Sequence, residues 1–343
     1  MTFIPPSAKI LLTGANGYLA VHAVKDLLDR GYTVVGTVRS ESKGEELVKL
    51  FPAYTGKLSY AVVPNIVEPG AFDKVIKEGN FDAVAHAASP VSVPGGTVED
   101  FVKPAIDGTV GILESIKSHG QTVKRVVVTS SAAAVNTFPD GIKHNETHWN
   151  DSVIKLVEEQ GNKLPSIVLY FYSKTVAEQA IWKWWSKNKE HVAWDIATIN
   201  PSFILGEPIH AITSRDQLTS TNAILSSILS PHEDLAERRW PVIHVRDVAA
   251  VHSALFERKE SVTGRRALIV ASEPSWQDAY DALSSFSGVP KGNPGVGTNP
   301  DTDAPGWDTT FARELLGREF IGTKEMLVET EEYYRKKGWS FFA

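Results

Sequence analysis

The stretch that decides the fold lies near the start of the chain and is Lys9-Ile10-Leu11-Leu12-Thr13-Gly14-Ala15-Asn16-Gly17-Tyr18-Leu19-Ala20. Its apolar beginning predicts a strand over Lys9–Thr13, and a helix follows in which apolar residues recur at helical spacing, namely Ala20, Val24, Leu27 and Leu28. A turn with two glycines at this place lets the backbone approach the pyrophosphate of a dinucleotide at the helix N-terminus. We therefore predict a dinucleotide site formed by Thr13, Gly14, Asn16, Gly17, Tyr18 and Leu19.

Short apolar runs alternate with helix-length segments through the first 200 residues. These runs predict buried strands at Thr33–Val38, Leu58–Val63, Ala83–His86, Arg125–Thr129 and Asp195–Ile199. Such alternation indicates an α/β fold, a Rossmann-type doubly wound parallel sheet. One more strand, Trp240–Val245, is expected to return to the main body. We predict a dinucleotide-binding domain over 1–205 and 241–256, and a smaller, discontinuous substrate-binding lobe over 206–240 and 257–343.

The composition excludes several other classes of protein. The 343 residues include 35 Lys and Arg against 41 Asp and Glu, a net charge of −6 that disfavours a nucleic-acid surface. Cysteine is absent, so no disulfide or thiol chemistry is expected. The N-terminus lacks a secretory signal, and the apolar runs are shorter than the ~20 residues that span a bilayer. We expect a cytoplasmic protein without membrane or nucleic-acid partners, as a monomer or homodimer.

Arg39 directly follows the second predicted strand, where a dinucleotide site selective for NAD usually has an acidic residue. A guanidinium at this place suits the 2′-phosphate of NADP instead. Lys43, four residues later, is a second candidate cation. The alternative is that both are solvated charges of a loop. The sequence thus favours NADP(H) as the cofactor.

Two segments carry side chains suited to acid–base chemistry. Tyr170 and Lys174 share one face of a predicted helix, and an ammonium beside a phenol stabilises the phenolate. Tyr172 is the rival phenol, but it has no lysine four residues later. Ser130 and Ser131 follow a strand, at the sheet edge where ligands bind, so a hydroxyl there can orient a substrate carbonyl. A turn or cap serine is the alternative interpretation.

This ordered set of motifs resembles the extended short-chain dehydrogenase/reductase family. The stretch Tyr170-Phe171-Tyr172-Ser173-Lys174-Thr175-Val176-Ala177-Glu178 is similar to that of dihydroflavonol reductases, cinnamoyl-CoA reductases and microbial carbonyl (aldehyde, ketone) reductases. His244-Val245-Arg246-Asp247-Val248-Ala249 and Leu315-Leu316-Gly317 match the same branch, while Asn200-Pro201-Ser202 belongs to the set that resembles the wider family. The resemblance implies that Ser131 orients the carbonyl, that Tyr170 is the acid/base, and that Lys174 holds the nicotinamide ribose.

The resemblance also implies further contacts, although two positions depart from the family pattern. Along the cofactor we expect Asn65, Ile66, Ala87, Ala88, Thr129, Pro201 and Ser202. The helix Asn that many members use in a proton relay is Asp107 here, and the Asp expected near the adenine is Asn65, which can still bond an amine. The substrate pocket is expected to be formed by Val91, Ser131, Ala132, Ala133, Tyr170 and Phe203.

These observations predict an oxidoreductase that uses NADPH to reduce the carbonyl of a ketone or aldehyde. The mostly apolar pocket favours hydrophobic or aromatic substrates. One alternative is a sugar-nucleotide epimerase or dehydratase with tightly bound NAD, although the segment 206–240 offers only Arg215, Arg238 and Arg239 as cations for a diphosphate. A second is a non-catalytic sensor of NADP, which has no need of the Tyr170–Lys174 pair. No metal site is expected.

Overall fold

The strand, turn and helix predicted at the start of the chain are confirmed by the structure, a computed structural model that describes residues 3–89, 95–136, 142–230, 232–237, 240–298 and 304–342. Strand β1 (Lys9–Thr13) is buried from Ile10 onward and leads through the glycine turn into helix α1 (Tyr18–Asp29). The expected apolar face of α1 is buried, including Ala20, Val24, Leu27 and Leu28.

The central sheet confirms the predicted doubly wound architecture. Within the described part of the chain it has seven parallel strands in the order β3-β2-β1-β4-β5-β6-β9. The strands besides β1 are β2 (Thr33–Val38), β3 (Leu58–Val62), β4 (Ala83–His86), β5 (Arg125–Thr129), β6 (Asp195–Pro201) and β9 (Arg265–Ile269). The strand order reverses between β1 and β4, and ligands of such sheets bind at this point, outside the carboxyl ends.

Helices cover both faces of the sheet. Ile10 and Leu12 of β1 pack with α1 and α8, whereas Leu11 between them packs with α4 and α6, since neighbouring strand residues point to opposite faces. The helices are α2 (Glu41–Lys49), α3 (Asp73–Gly79), α4 (Val98–His119), α5 (Asp151–Gln160), α6 (Ser166–Asn188), α7 (Thr219–Ile228), α8 (Val245–Glu257), α9 (Trp276–Ala282), α10 (Thr310–Leu316) and α11 (Thr323–Lys337). Among the described residues, no helix is long and apolar enough to cross a membrane.

Two late strands differ from the sequence expectation. The segment around Trp240–Val245 does contain a strand, β8 (Val242–His244), but it pairs with β7 (Phe203–Leu205) in a separate two-stranded sheet and not in the main one. Conversely, β9 falls within 257–343, which the sequence pattern places in the second lobe, yet it pairs with β6 in the main sheet. A short apolar run predicts a buried strand but carries no information about its partner. Apart from β9, the division into two lobes stays a prediction.

A buried ion pair holds the amino ends of β5 and β6 together. The Nε and Nη2 atoms of Arg125 lie 2.7 and 2.9 Å from the two carboxylate oxygens of Asp195, and the side chains are 0% and 6% exposed. Arg125 also donates to the backbone carbonyls of Arg258 and Glu260, at 2.8 and 3.0 Å, which tie the chain after α8 to the sheet.

We predict that Asp195→Asn lowers the free energy of unfolding by about 3–5 kcal/mol, because it leaves the Arg125 charge buried without a counter-ion. Urea denaturation followed by far-ultraviolet circular dichroism measures the change. The control is Glu45→Gln, which removes an exposed partner of Lys49 and should cost less than about 1 kcal/mol. Equal losses in the two variants would contradict the structural role of the buried pair.

Candidate active site

The glycine turn is fixed by contacts between the carboxyl ends of β1 and β4. The Oγ1 atom of Thr13 lies 2.9 Å from Nδ1 of His86 and accepts the backbone N–H groups of Ala87 and Ala88 at 3.1 and 3.0 Å. Gly14 has a φ of +67°, and a Cβ there would lie 3.0 Å from the Cα of Ala88. Glycine is therefore required at this position both by its backbone conformation and by the close approach of β4.

His86 has the structural role that a buried imidazole suggests. Burial, with a smaller contribution from the positive charge of Lys174, lowers the pKa of His86 to about 3, so the ring is neutral. Thr13 is also buried, and its hydroxyl faces β4. Thr13 thus holds the turn against the end of β4. Its contact with a cofactor remains a prediction.

The N-terminus of α1 presents backbone N–H groups at the sheet edge. Gly17 is exposed at the N-cap position, and the helix begins at Tyr18. The Tyr18 hydroxyl donates to the carbonyl of Gly206 at 2.8 Å, so this side chain is held by the segment after β7. The first amides of a helix have no acceptor within it and form a site for phosphate groups. Asn16 and Leu19, both half-buried, flank this site.

The two predicted cations differ in their surroundings. Arg39 follows β2 directly and is exposed, and no carboxylate of the described residues forms an ion pair with it. Lys43 lies in the first turn of α2, where its Nζ atom is 2.8 Å from a carboxylate oxygen of Glu46. The charge of Lys43 is therefore partly neutralised, and Arg39 is the stronger candidate for an anionic ligand.

The predicted adenine-side residues lie in the loop after β3. Asn65 is exposed, and its amide donates to Glu68 at 3.1 Å while its carbonyl oxygen accepts the N–H of Val67 at 3.3 Å. Ile66 beside it is half-buried. These local hydrogen bonds form a turn in the loop after β3, and β3 pairs with β2, the strand that precedes Arg39.

Tyr170 and Lys174 lie on α6 as the helical spacing predicted. The buried row Leu169, Ser173, Ala177 and Ile181 anchors α6, and Tyr170, Lys174 and Glu178 form the adjacent row. The Nζ atom of Lys174 is 5.7 Å from the centre of the Tyr170 ring. It also donates to Oγ of Ser89 at 2.9 Å, so α6 reaches the end of β4. Tyr172 is half-buried on the same helix.

The structure gives the two neighbouring serines different surroundings. Ser130 is buried, and its hydroxyl donates to Oε2 of Glu178 at 2.5 Å. Ser131 is half-buried and begins a short 3-10 turn, Ala132–Ala134, where its Oγ accepts the N–H of Ala133 at 3.1 Å. A hydroxyl that accepts one hydrogen bond still has its own proton to donate. Ser131 therefore remains able to donate to a carbonyl oxygen, while the Ser130 proton is engaged in the core.

The turn after Ser131 packs against α6. Thr175 lies one residue beyond Lys174, and its Oγ1 is 3.5 Å from the carbonyl oxygen of Ala133. Ala132 and Ala133 are both buried there. Ser131 and the Tyr170–Lys174 pair thus belong to two elements in direct contact at the carboxyl edge of the sheet.

The remaining predicted residues have mixed surroundings. The Oγ1 of Thr129 lies 3.0 Å from Nε2 of buried His252, Pro201 is buried, and the Oγ of Ser202 donates to the carbonyl of Ile269 at 3.3 Å. Phe203 is half-buried against the core. Val91 lies outside the described residues, so its predicted place in the substrate pocket remains a prediction.

Asp107 forms an ion pair with Lys103, one turn earlier on α4. This pair gives its carboxylate a local partner, and a role of Asp107 in a proton relay stays untested. Among the described residues, no group of three or more His, Cys, Asp or Glu side chains is arranged to hold a metal ion.

Three features near the candidate site were not predicted from the sequence: the Thr13–His86 contact, the bond between Lys174 and Ser89, and the burial of Glu178. Ser89 follows Ala87 and Ala88 directly, and Glu178 comes four residues after Lys174, so spacing alone contained a signal for both.

Comparison with known proteins identifies the family of this chain. Residues 10–271 match the model of the NAD dependent epimerase/dehydratase family. The chain is 32% identical to the NADPH-dependent methylglyoxal reductase GRE2 of Saccharomyces cerevisiae, over 94% of this chain and 96% of that protein. It is 34% identical to the ketoreductase azaE of Aspergillus niger, over 91% and 93% of the two chains.

A solved structure of the yeast methylglyoxal/isovaleraldehyde reductase Gre2 with NADPH has a TM-score of 0.82 and 30% identity, and covers 96% of this chain and 99% of that one. These relatives confirm the predicted resemblance and, with it, the expectation of an oxidoreductase that uses NADPH. The chain belongs to the NAD dependent epimerase/dehydratase family, the extended branch of the short-chain dehydrogenases/reductases.

Proposed function

We propose that the protein reduces the carbonyl group of an aldehyde or ketone to an alcohol with NADPH, and that Tyr170 donates the proton to oxygen. The observation that carries this proposal is that the turn after Ser131 packs against the helix of Tyr170 and Lys174, through the contact of Thr175 with Ala133, while Lys174 bonds Ser89 after β4. Relatives over nearly the whole chain are named methylglyoxal reductase and ketoreductase, which supports this class of substrate.

The residues at the sheet edge fit NADP(H). Because Gly14 has no side chain and lies close to Ala88, only backbone atoms border the place where a pyrophosphate would bind. The N-terminus of α1 provides N–H groups for the pyrophosphate. The guanidinium of Arg39 would bond the 2′-phosphate, the amide of Asn65 the adenine amine, and the ammonium of Lys174 the nicotinamide ribose. When bound, the nicotinamide supplies the hydride for the carbonyl carbon.

The protein's own groups would orient the substrate and move one proton. The Ser131 hydroxyl donates to the carbonyl oxygen and fixes its position. The Tyr170 hydroxyl gives its proton to the same oxygen as negative charge develops there, and the nearby Lys174 charge stabilises the resulting phenolate until solvent returns a proton. In the reverse direction Tyr170 acts as the base.

We propose a small, mostly apolar substrate. Ala132 and Ala133 lie in the turn after Ser131, and Phe203 is the first residue of β7. NADPH oxidation measured with a panel of aldehydes, aromatic ketones and keto esters tests both the reaction and this preference. Retained NAD in the purified protein, without turnover of any carbonyl compound, would favour an epimerase. NADPH binding without turnover or retained NAD would favour a sensor.

An epimerase of sugar nucleotides needs a lobe that binds a diphosphate. The segment 206–240 offers few cations for this task. Arg215 packs its guanidinium 4.4 Å from the centre of the Phe341 ring and donates to the carbonyl of Trp339 at 3.3 Å. Arg215 is thus engaged with the C-terminal segment. Arg238 and Arg239 lie outside the described residues.

We predict that Tyr170→Phe lowers kcat by about 10²–10⁴-fold, the usual contribution of acid/base catalysis. Because only a hydroxyl is lost, the Kd of NADPH, measured by fluorescence titration, should hardly change. Tyr172→Phe is the matched control on the same helix and should keep most of the activity. Loss of activity in the control with a fully active Tyr170→Phe would show that the assignment is wrong.

Ser131→Ala should lower kcat and leave the Kd of NADPH nearly unchanged, because its hydroxyl is expected to bond the substrate and not the cofactor. Steady-state kinetics with the best substrate of the panel provides the measurement. Ser130→Ala is the control: it removes the bond to Glu178 and should retain more activity than Ser131→Ala. The opposite order of the two variants would move the orienting role to Ser130.

Parent enzyme should prefer NADPH over NADH by at least about tenfold, because charge-assisted hydrogen bonds contribute ~1.5–3 kcal/mol each and ~1.4 kcal/mol is a factor of ten. Arg39→Ala should weaken NADPH use, leave NADH use nearly unchanged, and reduce the salt dependence of NADPH binding. Kinetics with both cofactors decides this. Lys43→Ala should have a smaller effect, since Lys43 already pairs with Glu46. Equal use of both cofactors by the parent would refute the prediction.

A further inference from the structure

A buried carboxylate lies one helical turn beyond Lys174. The Glu178 side chain is 0% exposed, and the residue belongs to α6, the helix that also carries Tyr170 and Lys174. Burying a carboxylate is costly unless hydrogen bonds and a counter-charge compensate for the lost water. The surroundings of Glu178 provide both.

Four donors from β6, β9 and the residue after β5 surround the Glu178 carboxylate, and the indole N–H of Trp182 on α6 donates to Oε1 at 3.4 Å. Oε2 accepts from Oγ of Ser130 at 2.5 Å and from Nδ2 of Asn200 at 2.6 Å. Oε1 accepts from Oγ1 of Thr198 at 3.0 Å and from Nε of Arg266 at 2.6 Å. Ser130 follows β5, Thr198 and Asn200 belong to β6, and Arg266 belongs to β9. One carboxylate thus links α6 to β6, to β9 and to the residue that follows β5.

The same carboxylate is connected to Ser131 by two short paths. Ser130, which bonds Glu178, is the residue before Ser131. Asn200 bonds Glu178 and also donates from Nδ2 to the backbone carbonyl of Ser131 at 3.1 Å. The peptide that carries the predicted carbonyl-orienting hydroxyl is therefore held from both sides by bonds that end on Glu178.

Arg266 extends these connections to the segment after Ser131. Its side chain is 6% exposed, and Nη1 donates to the backbone carbonyls of Glu146 and His148 at 3.1 and 2.6 Å. The guanidinium also lies 3.8 Å from the centre of the Trp149 ring. Arg266 therefore fixes the chain at 146–149 relative to Glu178.

Asn150, the residue directly after the segment 146–149, supports the 3-10 turn that begins at Ser131. The side-chain amide of Asn150 donates to the carbonyl of Ala133 at 2.9 Å, and its backbone N–H donates to the carbonyl of Ala134 at 3.0 Å. The connections from Glu178 through Arg266 and Asn150 thus return to the residues directly after Ser131.

We propose that Glu178 is a positioning residue for carbonyl reduction, fixing the Ser131 hydroxyl relative to Tyr170 and Lys174; this rests on the function proposed above. A charged carboxylate suits this task because both of its oxygens accept, and all four neighbours donate. An amide of the same shape has one donor end, so it cannot satisfy the same four groups. A small misplacement of an orienting group lowers the rate of the chemical step more than it changes binding of the cofactor.

The test compares Glu178→Gln with Asp195→Asn. Both remove the charge of a buried carboxylate that pairs with an arginine, but Asp195 lies at the amino ends of β5 and β6, away from the active-site edge. Both variants should unfold at lower urea concentration. Only Glu178→Gln should lower kcat, by about 10- to 100-fold, with the Kd of NADPH within about threefold of the parent. An equal fall of kcat in both variants would overturn the proposal.

A double variant shows whether Glu178 acts through Ser131. If it does, adding Glu178→Gln to Ser131→Ala should lower kcat little further, because the group that it positions is already absent. Effects that multiply would refute this route. Should Glu178→Gln fail to fold, Thr198→Val removes a single donor to Oε1 without leaving a buried charge, and it should lower kcat in the same direction but less.

Hydrogen exchange separates a failure of this inference from a failure of the proposed function. The N–H groups of Ala133 and Ala134 bond to Oγ and the carbonyl of Ser131. Glu178→Gln should speed exchange of these amides more than Asp195→Asn does, whatever reaction the protein performs. If the parent protein has no carbonyl reductase activity but Glu178→Gln still speeds the exchange of these amides, the positioning role stands and the proposed function is rejected. Unchanged exchange at 133 and 134 would reject the positioning role.

Discussion

Parallel pairing of the strands is the constraint on which the rest of this molecule depends. It brings the carboxyl ends of all seven strands of the described sheet to one edge. The glycine turn after β1, Arg39 after β2, Ser89 after β4 and Ser131 after β5 therefore lie along one edge of the sheet, although they are spread over more than a hundred residues of sequence. This arrangement of residues along one edge needs no local sequence signal beyond a polar residue at the end of a buried strand.

Close approach at this edge depends on small side chains and on one hydroxyl. Gly14 can lie against Ala88 because neither carries a side chain beyond Cβ, and Thr13 holds the two backbone N–H groups that follow β4. The neutral His86 completes this arrangement from within the core. The surface that would receive a pyrophosphate is therefore made of backbone and is backed by buried polar contacts.

Two buried arginine–carboxylate pairs join different elements of the molecule. Arg125 and Asp195 join the amino ends of β5 and β6, where they fix the chain that follows α8. Arg266 of β9 lies beside Thr198 of β6 and pairs with Glu178 of α6, whose other hydrogen bonds lead to Ser131. The chemistry of the two pairs is alike, so their different consequences come from position alone. Under the positioning role that we propose for Glu178, a similar cost of charge burial would serve stability in one pair and catalysis in the other.

The sequence by itself determined what depends on local spacing: the strand–turn–helix at Lys9–Ala20, the alternation of strands and helices, and the common helix face of Tyr170 and Lys174. Helical and strand periodicities fix which side chains share a face, whatever the partner element is. Only the tertiary structure decided that β9 joins the main sheet and β8 does not, that Lys43 pairs with Glu46, and that Ser130 is buried while Ser131 is not. It alone placed Glu178 among donors from β6, β9 and the residue after β5. Those contacts join residues up to 88 positions apart, and their formation depends on how the elements pack in three dimensions and not on the order of residues along the chain.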